Sequence, residues 1–247
     1  MSTLIVGYAR TPFAKFCGKF ANITAVELGA HALSAAIERS GIEAKDVQYV
    51  FAGQVLQAAS GQNPARQTAI LAGIPKSTPA QTINSVCLSG MDAVTAAVRL
   101  IESGEADVVV AVGQESMTQA PHAFKNSRLG KKYGSIQAID TLEFDGLTDA
   151  FEKISMGAAT EAAISGLAIS RLDQDSLAAK SHQQLANSTA FQSEEIAPIQ
   201  ISINGEVLMV TSDDGLRKDT SAESLGTLKP AFGKDGTITA GNSSQIT

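Results

Sequence analysis

The segment QTINSVCLSGMDAV, Gln81–Val94, passes from a β-type stretch directly into a helix of small and apolar residues, with one cysteine at the joint. A free cysteine is most often a small hydrophobe of the core. The position of Cys87 argues for a second reading. A helix beginning just after it leaves unpaired backbone N–H groups pointing its way, and their dipoles favour the thiolate, the nucleophilic form. The same N–H groups suit the oxygen of a thioester under attack. Gly90 leaves room for a ligand or a second backbone, and Ala93, Ala96 and Ala97 let the helix pack tightly inside the protein. From position alone, core residue and nucleophile both stay open.

On either side of that joint, strand and helix signals alternate. The apolar run Thr3–Ala9 suits a central strand; Val47–Leu56 and Ala106–Gly113 read as strands, the last fully buried. A helix opens at Thr24 with Glu27 three residues on, a capping box, and closes at Gly41. Pro64 suits the first turn of a second helix ending near Gly73. A third, Leu88–Glu102, carries Leu88, Met91, Val94, Val98 and Ile101 at helical spacing. Strands separated by helices predict an α/β fold with a largely parallel, covered sheet.

After Gly113 the texture changes. Met117–Gly146 is polar and loop-like, and helical patterns follow at about Leu147–Ala168 and Arg171–Phe191. ISINGEVLMV reads as a hairpin turning at Asn204-Gly205, and GTITAG (Gly236–Gly241) resumes strand character. The expected division is 1–117 and 118–247, the second part an insertion into the first.

The bulk composition narrows the function. A net charge of −6 argues against a nucleic-acid partner, because phosphate backbones select basic faces. The local cluster Lys125, Arg128, Lys131 and Lys132 reads as a solvated loop or a site for a small polyanion. Two cysteines make no disulfide framework and suit a reducing, cytoplasm-like compartment. No run reaches the roughly 20 apolar residues of a membrane span, and no signal peptide is expected. A cysteine nucleophile normally needs a base. His31 and His182 fall in predicted helices and read as surface residues, which leaves His122, beside Pro121 in a loop. Cys17, in a loop among lysines, reads as incidental. No metal-ligand spacing and no glycine-rich phosphate loop occurs.

Taken together these residues resemble a thiolase. NSVCLSG (Asn84–Gly90) is similar to the acyl-enzyme signature of that family and ARTPFAKFCG (Ala9–Gly18) to its opening. GQESMTQAPH, DGLTDAF, LKPAF and GTITAGNSSQIT resemble further family segments in the same order, so the likeness spans the whole chain. SIQAIDTLEFDGLTDAF (Ser135–Phe151) looks like the biosynthetic, acetoacetyl-CoA-forming branch.

The resemblance implies a thiolase fold: a layered α/β/α N-terminal half with a mostly parallel sheet and an inserted α+β loop domain, the C-terminal half being absent. It implies that Cys87 takes an acyl group from acyl-CoA as a thioester, which a second acetyl-CoA then attacks, or the reverse thiolysis. Coenzyme A and acetyl-CoA are then substrates, with no permanently bound cofactor and no metal. Arg217 falls where an arginine meets the adenine end of CoA, and Ser224 matches a nearby polar contact. Ala240 and Ser244 match contacts to the pantetheine arm; Leu147 and Met156 match residues lining the acyl tunnel. Ser155 departs from the pattern, standing where biosynthetic relatives often carry a histidine.

Thiolases are longer, and the GHP histidine, the NEAF asparagine and the second cysteine of the family do not occur here. The resemblance therefore implies a chain inactive alone, an apolar surface left bare, and a homo-oligomer or a separate C-terminal chain as partner. The loop Lys125–Tyr133 would join two dimers into a tetramer. A degradative 3-ketoacyl-CoA thiolase, a non-catalytic CoA- or acyl-binding module and a papain-like cysteine hydrolase are the alternatives.

Overall fold

A computed structural model describes residues 2–203 and 205–247. The first half is built on three parallel strands, β1 (Tyr49–Gly53), β2 (Ala80–Ile83) and β3 (Val109–Gly113), with β1 in the centre. Phe51 stands opposite Gln81 on one side and Ala111 on the other. Successive side chains of a strand point to opposite faces. Val50 and Ala52 accordingly pack on Leu33 of α1 (Ala25–Ser40) and on Ala65 and Ala69 of α2 (Pro64–Leu71). Phe51 packs on Ala93 and Ala97 of α3 (Ser89–Glu102). The result is three layers, α/β/α, as the alternation of signals predicts.

The local signals act as chemistry requires. Thr24 Oγ1 accepts the Glu27 N–H at 3.2 Å while the Glu27 carboxylate accepts the Thr24 N–H at 2.8 Å, closing the capping box. Gly41 ends α1 at φ 72°, a left-handed conformation that costs glycine nothing. Pro64 opens α2, where its missing N–H would have been unpaired anyway.

The first expected strand fails. Thr3–Ala9 joins no ladder among the described residues, and Leu4, Ile5 and Val6 are 76%, 81% and 60% exposed. The segment rests instead on α1: Gly7 lies against Ala36 and Ser40, and the Tyr8 carbonyl accepts from Arg39 Nη1 at 3.2 Å. Because β3 then pairs, among the described residues, only with β1, it is an edge strand and mostly half-buried, not fully buried. A groove of about 980 Å³ separates it from the N-terminal segment, lined by Ile5, Ile37, Val94, Val98 and Val110. Leu4, Ile5 and Val6 stand exposed along it.

The second half also differs in detail. The expected helix Leu147–Ala168 is a π-helical turn, Leu142–Leu147, followed after a loop by α4 (Met156–Ile164). The break has a cause: the Asp149 carboxylate accepts the Phe151 and Glu152 N–H groups, folding the chain back, and Ser155 caps α4. Arg171–Phe191 is split at Ser188 into α5 (Arg171–Asn187) and α6 (Thr189–Glu195). The hairpin forms, β6 (Ile199–Ile203) against β7 (Glu206–Val210), with Gly205 at φ 86°. Asn204, the first expected turn residue, lies outside the described residues. GTITAG forms no strand; Thr239 makes one isolated bridge to Pro230.

The hairpin is bound to the chain's beginning. Ile199, Ile201 and Val210 share a core with Ala14 and Phe20. Arg10 forks onto both oxygens of Asp213, at 2.7 and 3.0 Å, and donates through Nε to Glu195 at 2.7 Å. Bidentate, charge-assisted pairs of this kind fix geometry as well as energy.

Candidate active site

Cys87 is exposed, between the end of β2 and the start of α3. The turn that presents it is held on both sides. Val86, its predecessor, sits at φ 51°, unusual for a β-branched residue. Asn84 Oδ1 accepts the Val86 N–H at 3.0 Å, and the Ser89 hydroxyl donates to the Val86 carbonyl at 2.5 Å while accepting the Ser85 N–H at 3.0 Å. No side chain caps the first turn of α3, and the Ser89 N–H turns back to the Val86 carbonyl at 3.0 Å, so it is the Gly90 and Met91 N–H groups of that turn that can meet an anion. The helix can start so close to the sheet because β1 ends in glycine: a Cβ on Gly53 would lie 2.6 Å from the Gly90 nitrogen.

Beside this turn, the carboxyl ends of β1 and β3 carry a buried polar cluster that the sequence reading missed. Gln114 donates to Gln54 Oε1 at 2.9 Å and accepts from Thr68 at 2.7 Å, and Gln54 donates to the Leu56 carbonyl at 2.9 Å. All three side chains are buried and partnered. Glu115 accepts the Val55 N–H at 2.9 Å; burial pushes its carboxyl group above the usual carboxylate range, against the pull of the N–H groups it accepts. The signal was present in the sequence: β1 and β3 both end in Gly-Gln, Gly53-Gln54 and Gly113-Gln114.

The groove that Cys87 faces is also lined by Leu147, so these two expected site residues share one cavity. Met156, Arg217, Ser224, Ala240 and Ser244 do not line it; all five are exposed. Hydrogen bonds join the elements that carry them. Glu161 of α4 accepts the N–H groups of Thr237 and Ile238, Asn242 donates to Asp175 of α5, and Arg171 of α5 donates to the Leu225 carbonyl of α7 (Ala222–Gly226). The Arg217 N–H donates to His182 Nδ1 of α5 at 3.3 Å. Ser224 completes a capping box with Ser221.

The histidines divide differently from expectation. His31 and His182 are half-buried ties, not solvated surface groups; His31 Nε2 donates to the Pro198 carbonyl at 3.0 Å. His122 lies in β4 (His122–Ala123), paired with Asp140 of β5 (Ile139–Asp140), and does not line the Cys87 groove. In the basic loop, Lys125 sits 3.3 Å from the Phe144 ring centroid. Among the described residues no group of three or more His, Cys, Asp or Glu could hold a metal, and no helix is long and apolar enough to cross a membrane.

Comparison with known proteins agrees with this architecture. Residues 3–247 match the family model described as thiolase, N-terminal domain. A probable acetyl-CoA acetyltransferase of Mycobacterium leprae is 48% identical over 99% of the chain, and one of Escherichia coli 45% over 98%. The crystal structure of the Bacillus anthracis acetyl-CoA acetyltransferase superposes with a TM-score of 0.93 at 35% identity over 98% of the chain. The chain spans 63%, 62% and 62% of these three relatives. A cysteine presented between strand and helix, the three-layer sheet around it and a family match over nearly every residue lead to one conclusion: the chain belongs to the thiolase family.

Proposed function

We propose that Cys87 is the acyl acceptor of a thiolase-type acyltransfer. Its thiolate attacks the carbonyl carbon of an acyl-CoA, a new C–S bond forms, and CoA leaves as its thiolate. In the second step the deprotonated methyl carbon of acetyl-CoA attacks that thioester, a C–C bond forms and the cysteine thiolate is released. The product is acetoacetyl-CoA, and the reverse is thiolysis. Splitting the condensation in two lowers each barrier. The observation that carries this reading is the exposed Cys87 on a strained, doubly held turn at the uncapped start of α3.

CoA would lie along the second half, with Arg217 against the nucleotide, Ser224 nearby, and Ala240 and Ser244 along the pantetheine. Leu147, on the Cys87 groove, and Met156 would bound the acyl group. The exposure of Met156, Arg217, Ser224, Ala240 and Ser244, and the bonds joining their elements, support this placement. Residues 118–247 then act as the CoA-binding insertion in the part that carries the nucleophile. The bare groove beside β3 calls for a partner, a further copy or a separate C-terminal chain; two exposed, unbridged cysteines suit a reducing, cytoplasmic setting.

Among the described residues no histidine lines the groove with Cys87, and this favours a restricted activity. The chain alone forms an acyl-enzyme and goes no further, for want of a base to deprotonate the second acetyl-CoA. Intact mass after incubation with acetyl-CoA should show one acetyl group per chain, absent in Cys87→Ala. No labelling at all would leave a CoA-binding module instead. Sustained acetoacetyl-CoA cleavage by the isolated chain would overturn the restriction.

A further inference from the structure

We propose that Asn84 is a positioning residue for Cys87: its side chain holds Val86 in the left-handed turn that presents the sulfur to the start of α3. A β-branched residue at φ 51° is strained, and such strain persists only where the surroundings over-determine it. On the C-terminal side the constraint is Ser89, buried inside the helix start and bonded to Val86 and Ser85. On the N-terminal side it is Asn84, whose Oδ1 accepts the Val86 N–H at 3.0 Å, two residues on. The amide is anchored at its other end as well: Nδ2 donates to the Val55 carbonyl at 3.3 Å. Val55 in turn donates its N–H to Glu115 Oε2 at 2.9 Å. The path Glu115–Val55–Asn84–Val86 thus runs from the end of β3, across the loop after β1, to the residue before the nucleophile. Without the Asn84 acceptor, Val86 relaxes towards negative φ and carries Cys87 off the helix axis.

The inference rests on Cys87 being the acyl acceptor, yet its test does not need acyl transfer. The rate of Cys87 alkylation by iodoacetamide is read by peptide mapping against Cys17 of the same molecule, with circular dichroism confirming the fold. Asn84→Ala should lower the Cys87-to-Cys17 rate ratio about five- to tenfold. Asn84→Ser, whose hydroxyl makes the same turn more weakly, should fall between, and carries the comparison if the alanine variant does not fold. The decisive arm is a double-mutant cycle. Glycine takes positive φ unaided, so in a Val86→Gly background Asn84→Ala should change the ratio by less than about twofold. A purely structural role for Asn84 predicts equal losses in both backgrounds, and that result, or no loss in either, overturns the proposal. Acetylation by acetyl-CoA is followed in parallel. A parent that is not acetylated but shows the predicted cycle sinks the functional reading alone; an acetylated parent with an additive cycle sinks the positioning role alone.

Discussion

Glu115 Oε2 accepts the Val55 N–H at 2.9 Å across 60 residues of chain, fastening the end of β3 to the loop that leaves β1. Burial raises the carboxyl pKa above its unfolded value of 4.5, outweighing the N–H groups of Val55, Leu56 and Ser116 that lower it. A raised folded-state value means the folded protein holds the proton more tightly. The associated stability is fully present below pH 4.5 and is lost as pH rises through the folded value. The stability of the parent relative to Glu115→Gln, from urea unfolding, should therefore decline from about pH 4 upward. A difference independent of pH would show that burial of this carboxyl group carries no cost.

The glutamine cluster should matter more for stability than its size suggests. Gln114→Leu leaves the Gln54 carbonyl oxygen and the Thr68 hydroxyl buried without their partner. An unsatisfied buried group costs about 1–3 kcal/mol. The expected loss falls in or above that range, read as a lowered urea midpoint with an unchanged slope.

Gly53→Ala should displace the start of α3, because the added methyl meets the backbone of Ser89 and Gly90, which cannot rotate away. Overpacking of this kind costs about 1–3 kcal/mol. The turn before Cys87 should move with the helix, so slower Cys87 alkylation should accompany the drop in melting temperature.

Arg217→Ala should weaken CoA binding while leaving Cys87 alkylation unchanged. The guanidinium offers charge and a flat face for stacking on adenine. Its backbone, not its side chain, is engaged with His182, so the substitution leaves that tie intact. Calorimetry giving the same affinity in variant and parent would remove Arg217 from the CoA site.

In the loop Lys125–Tyr133, Leu129 is 90% and Tyr133 93% exposed. If this loop joins dimers, Leu129→Asp with Tyr133→Asp should halve the mass of any tetramer seen by light scattering and leave a monomer or dimer unchanged. A tetramer that survives both charges would assign the loop to solvent.

Much of the site's framework was legible because it is encoded locally. The capping box at Thr24, the proline start at Pro64, the left-handed stop at Gly41 and the strand-to-helix joint at Cys87 each depend on residues within a few positions of one another. Propensity and capping chemistry act over that range and can be read from neighbours. The break between Leu147 and Met156 was local too, but its cause, Asp149 folding back on its own backbone, was hidden under a helical hydrophobic pattern.

What only the tertiary structure decided are the relationships between distant segments. An apolar run such as Thr3–Ala9 states that it can be a strand, not that a neighbour will pair with it; here β3 finds β1 and the N-terminal segment finds α1. Gln54 and Gln114 look like surface residues singly and become a buried, satisfied pair, with half-buried Glu115 beside them, only because β1 and β3 end side by side. Asn84 stays exposed, yet its two partners, 2 and 29 residues away, are brought to it only by the fold. The sequence by itself determined the layers and the place of Cys87 between strand and helix, since periodicity and capping are properties of contiguous residues, while its motifs, NSVCLSG above all, carried the resemblance to the family. The support around Cys87 was decided by packing, because a hydrogen bond between remote residues has no periodic trace in the chain.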